Sequence, residues 1–136
     1  MDKVKWTDEK VLSVIDEARL AGAVSARAKL VELIQAGAKW SITDQNDKEI
    51  GRMLDVCGFA HLSIKAVGSF YLIAKHLSVK RTMRFTCDLA HGGGGWLSIY
   101  DSTNRQEMSV NKAACKGQAE VLRKYGLSPI VKVQID

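Results

Sequence analysis

The sequence predicts an α+β domain: an antiparallel or mixed sheet covered by helices, in the order α-β-β-α-β-β-α-β, with a long N-terminal helix. Three observations carry this. Apolar residues recur at helical spacing from Val11 to Ile34 and again from Val110 to Tyr125. They alternate with polar ones, as a half-buried strand requires, over residues 82–89, 97–100 and 131–135. Helical and strand patterns are interleaved, so the sheet and its helices belong to one layered domain, residues 1–136.

Thr7 followed by Asp8 and Glu9 starts the first helix, with a capping hydroxyl and acids at the positive end of the dipole. Val11, Val14, Ile15, Ala18, Gly22, Ala26, Leu30, Leu33 and Ile34 form its stripe, and Gly37 is its terminator. Such a helix is roughly 45 Å long. Either it breaks near Gly22-Ala23, or one end projects and packs on a second chain. Ala18, Gly22 and Ala26 make one face small enough for another backbone to approach, within the monomer or in a homodimer.

Trp40-Ser41-Ile42-Thr43 reads as a short strand, and Asp44-Gln45-Asn46-Asp47-Lys48 as a turn. Ile50 to Ile64 is strand-like with an interruption at Cys57-Gly58. Ser69 caps a short helix, Phe70 to Leu77. A basic turn then leads into a hairpin. Met83, Phe85, Cys87 and Leu89 alternate with Thr82, Arg84, Thr86 and Asp88, and Leu97 and Ile99 alternate with Trp96, Ser98 and Tyr100. The connection, Ala90-His91-Gly92-Gly93-Gly94-Gly95, is looser than a hairpin needs, because glycine loses the most freedom on ordering. It suits a loop that closes over a ligand, or a loose surface loop. It lacks the Lys-Ser/Thr ending of a P-loop and the spacing of a dinucleotide fingerprint. Ser109 is the expected cap of the last helix, Gly126 ends it, Pro129 prevents its continuation, and Val131, Val133 and Ile135 form a closing strand.

The N-terminus, MDKVKWTDEK, has no apolar signal-peptide core and no stretch is long enough to span a bilayer, so a cytoplasmic location is expected. Cys57, Cys87 and Cys115 are an odd set, expected as reduced thiols. Charge is uneven. Residues 1–55 hold nine Lys/Arg against ten Asp/Glu, and residues 88–136 hold six against five. Residues 56–87 hold Lys65, Lys75, Lys80, Arg81 and Arg84 and no acid, so this block carries +5, equal to the net charge of the chain. Such a block can concentrate an anionic partner or be a solvated patch.

Three chemistries are open to these residues. Cys57/His61 and Cys87/His91 repeat a Cys-x3-His pattern, but in an extended strand the two ligands of a pair stand roughly 13 Å apart. One zinc ion does not reach both, and no metal or other cofactor is expected. His91, three residues after Asp88, is the best-placed general acid or base, but no nucleophile elbow or metalloprotease helix accompanies it. No catalytic residue is assigned on that basis.

Binding of an anion, a nucleotide or nucleic-acid segment, has more support. Lys75, Lys80, Arg81 and Arg84 would meet phosphate, His91, Gly92, Gly93, Gly94 and Gly95 would close over it, and Trp96 or Tyr100 would stack on a base. The start of the last helix, Ser109-Val110-Asn111-Lys112, is a further candidate anion site. The alternative is a protein-binding inhibitor or adaptor, such as an accessory factor of a virus or mobile element, dimeric through the first helix. An enzyme using His91 is the third reading.

Overall fold

A computed structural model describes residues 4–37, 40–53, 55, 57–66, 68–79, 85–90, 94–99 and 107–135. Its elements are α1 (Asp8–Ala36), β1 (Trp40–Thr43), β2 (Glu49–Met53), β3 (Gly58–Ala66), α2 (Gly68–Val79), β4 (Phe85–Ala90), β5 (Gly94–Ile99), α3 (Met108–Lys124) and β6 (Ser128–Ile135). The class is α+β, as expected. The order has one strand more than expected, because the stretch from Ile50 to Ile64 is two strands in two different sheets. β1 and β2 form an antiparallel hairpin of their own, while β4-β5-β3-β6 form a four-stranded antiparallel sheet. The break between β2 and β3 frees Asp55 and Cys57 to reach the start of α3. Cys57 bridges to Glu107, and Asp55 Oδ2 accepts from the Ser109 N–H at 2.7 Å.

That contact corrects the expected cap of α3. Ser109 is the second residue of the helix, and the capping position, Glu107, makes no side-chain cap bond. The carboxylate that satisfies an unpaired amide of the first turn comes instead from Asp55, 54 residues away in sequence. An acid there also complements the helix dipole. Asn111 Nδ2 donates to the Gly58 carbonyl at 2.9 Å and ties the same turn to the start of β3.

Helix α1 starts as expected. Thr7 Oγ1 accepts from the Lys10 N–H at 3.1 Å, and the Gly37 N–H donates to the Leu33 and Ile34 carbonyls. It runs 29 residues without a break at Gly22-Ala23. Gly22 is where α3 comes closest: a Cβ there would lie 2.7 Å from Gln118 Cγ and 2.8 Å from the Ala114 carbonyl. Gly117 returns the arrangement, its Cβ position being 2.5 Å from Ser25 Oγ and 2.7 Å from the Ala21 carbonyl. The small face Ala18-Gly22-Ala26 is therefore spent inside the monomer, against α3. Tyr125 and Lys124, at the end of α3, both donate to Glu17 of α1, the lysine at 2.7 Å. These two bonds hold the Glu17 carboxyl below its ordinary pKa.

All three helices lie on one side of the four-stranded sheet. Val11, Val14, Ile15 and Ala18 of α1, Phe70, Ala74 and Leu77 of α2, and Cys115, Ala119 and Leu122 of α3 form one core with Leu62 and Ile64 of β3. Burial drives the Cys115 thiol pKa up to about 11, which makes it an inert core residue.

Candidate nucleic-acid interface

Among the described residues, no helix lies against the other side of the sheet. In β3 alternate residues point to opposite faces. Leu62 and Ile64 are buried under the helices, while Phe59, His61 and Lys65 are exposed and Ser63 is partly so. β6 pairs antiparallel with β3 and carries the open face outward: Gln134 opposite Phe59, Lys132 opposite His61, Ile130 opposite Ser63 and Ser128 opposite Lys65. Phe59 is 51% exposed and Ile130 43%. Directly opposed positions on one face are about 5 Å apart at Cβ, and diagonal ones about 7–8 Å. Phe59 therefore sits diagonal to Lys132, and His61 lies next to both.

On the far side of β3, Ser63 pairs with Ser98 of β5 and Lys65 with Trp96. Trp96 pairs in turn with Asp88 of β4. One row of register positions, Asp88–Trp96–Lys65–Ser128, thus crosses all four strands. From Phe59 to Lys65 the open face of β3 runs about 20 Å. A groove of about 430 Å³ lies between α3 and β6. Lys116 and Arg123 line it with one acid, Glu120, and Ile130 belongs to both groove and sheet face.

The residues expected from sequence to form the site are distributed unevenly. Trp96 occupies a register position on the row of exposed Lys65. Gly94 and Gly95 are not free loop: they open β5 and pair with Ala90 and Leu89. Half of the four-glycine run is therefore ladder. Lys75 is exposed on α2, on the helical side of the sheet, away from the open face. Lys80, Arg81, Arg84, His91, Gly92, Gly93 and Tyr100 lie outside the described residues, and with His91 so does the acid–base reading.

The anion site expected from sequence does not include Phe59, His61, Lys65 and Lys132, although Lys65 belongs to the basic block and His61 to the Cys-x3-His pattern. Their signal was present as strict alternation of Phe59, His61, Ser63 and Lys65 with Ala60, Leu62 and Ile64. The alternation alone does not say that, among the described residues, no helix covers the first set.

Among the described residues no group of three or more His, Cys, Asp and Glu is placed to hold a metal ion, and no helix is long and apolar enough to cross a membrane. Comparison of the chain with protein-family models, with curated proteins and with solved structures returns no match.

Proposed function

We propose that the open face of the four-stranded sheet binds single-stranded nucleic acid. The observation that carries this reading is Phe59, half exposed on an uncovered sheet face and flanked by His61 and Lys132. An aromatic ring on a flat sheet offers a stacking platform to any base, and cations beside it meet the phosphates between bases. In this reading a base lies on Phe59, Lys132 and Lys65 contact the backbone, and the strand runs along β3 towards the row of Trp96. The basic segment Lys80-Arg81 and Arg84 leads into β4, on the same sheet, and adds phosphate contacts. The length of the face favours a strand over a mononucleotide, because its two ends are farther apart than one nucleotide reaches.

Recognition of this kind is tolerant of sequence, since stacking and phosphate contact read no base edges. The test is fluorescence anisotropy of a labelled single-stranded oligonucleotide titrated with the chain at several salt concentrations. Binding that weakens steeply with salt, and that is stronger than for the same sequence as a duplex, is expected. Equal or tighter binding to the duplex would remove the stacking platform from the account. Arg81→Ala with Arg84→Ala should weaken binding and flatten its salt dependence. Unchanged affinity in that variant would remove these two arginines from the interface.

A further inference from the structure

Helix α1 is apolar on two sides. One stripe, from Val11 to Ala26, is buried. On the opposite side Leu20, Val24, Val31 and Ile34 are 68, 63, 46 and 58% exposed. At 3.6 residues per turn these four fall within an arc of about 80°, with Arg27 in the gap between Val24 and Val31. The outward face of a surface helix is normally polar, and single exposed apolar residues need no explanation. Four of them in line over about 21 Å form an exposed apolar ridge that calls for a covering partner.

We propose that a second copy of this chain docks there, α1 against α1, antiparallel about a two-fold axis. The charge pattern selects both the occupant and the direction. Asp16, Leu20, Ala23 and Arg27 are all exposed and follow one another at intervals of four, three and four. Reversing the direction exchanges acid for base and large for small. An antiparallel two-fold therefore sets Asp16 of each copy against Arg27 of the other, and Leu20 against Ala23, while Val24 packs near the axis. A parallel pairing would oppose Asp16 to Asp16 and Arg27 to Arg27. The face is also poorly suited to nucleic acid, because Asp16 and Glu17 border it and Arg27 is its one cation between Leu20 and Ile34. An isologous contact of this kind closes on itself and stops at two copies. It uses none of Ala18, Gly22 and Ala26, which α3 already covers, so Gly22→Leu would disrupt the monomer's own packing.

Sedimentation equilibrium of the full chain at micromolar concentrations tests this, with far-UV circular dichroism confirming that each variant is folded. The wild type is expected at twice the 15.0 kDa of one chain. Leu20→Glu with Val24→Glu should give the mass of a single chain. Asp16→Arg alone should weaken the dimer about tenfold, since two ion pairs become two repulsions. Asp16→Arg together with Arg27→Asp should restore it. A monomeric wild type, or a dimer that survives Leu20→Glu with Val24→Glu, would overturn the proposal. A double charge exchange no tighter than Asp16→Arg alone would overturn the antiparallel arrangement.

Discussion

The two faces of β3 are built from one nine-residue strand, yet they meet different surroundings. Leu62 and Ile64 are sealed under residues of α1, α2 and α3. Phe59, His61 and Lys65, one residue out of phase, meet solvent. Burying apolar area is worth roughly 25 cal/mol per Å², so the covered face stabilises the domain. The open face contributes little to folding, and a half-exposed phenylalanine there is surplus to the core. If the open face binds as proposed, stability and binding are separable by the parity of the residue number.

The largest expected effect is on the covered face. Ile64→Ala should cost about 2–5 kcal/mol of stability, read from urea denaturation, because it leaves a cavity where helices and sheet meet. On the open face, Phe59→Ala should change stability by no more than about 0.5 kcal/mol and weaken single-strand affinity by about 1–3 kcal/mol. If Phe59→Ala unfolds the chain, the two faces do not divide as described.

Lys65→Ala combined with Lys132→Ala sharpens the contrast at smaller scale. The slope of log affinity against log salt should fall in magnitude by about 1.4, at roughly 0.7 per phosphate contact on a single strand. Denaturation midpoints should stay close to wild type. A slope equal to the wild type's would mean that neither lysine meets phosphate.

The smallest effect belongs to the helical layer. Bonds from Lys124 and Tyr125 hold the Glu17 carboxyl below its ordinary pKa of 4.5. A carboxyl whose folded pKa is depressed contributes stability above the unfolded value and loses it as pH falls through the folded one. Glu17→Gln should therefore flatten the stability–pH profile below about 4.5 and leave single-strand binding at neutral pH unchanged. An identical acid profile in the variant would show that the tether does not contribute.

Much of this fold was legible in the chain. The Thr7 cap, the stripe of α1, the Asp44–Lys48 turn and the Gly126 end of α3 are local signals, set by propensity and periodicity, and the structure follows them. The continuity of α1 through Gly22-Ala23 was not legible, because it rests on α3 fitting against Gly22. Nor was the capping of α3 by Asp55, a contact between residues far apart in sequence. The anion contacts expected from sequence fall on more conspicuous residues, the glycine run and the basic turn, most of which lie outside the described residues. Phe59, His61 and Lys132 were obscured because alternation gives two faces without saying which will be covered. That choice is made by the connections between strands, which place the described helices α1, α2 and α3 on one side.

The most direct test of the open face as the interface is amide chemical-shift mapping of the isotope-labelled chain during titration with a short single-stranded oligonucleotide. Shifts are expected at Phe59, His61, Lys65, Lys132 and Gln134, with Leu20, Val24 and Val31 of α1 unmoved. Shifts confined to the helical side, or none at all at saturating oligonucleotide, would contradict the open face as the interface.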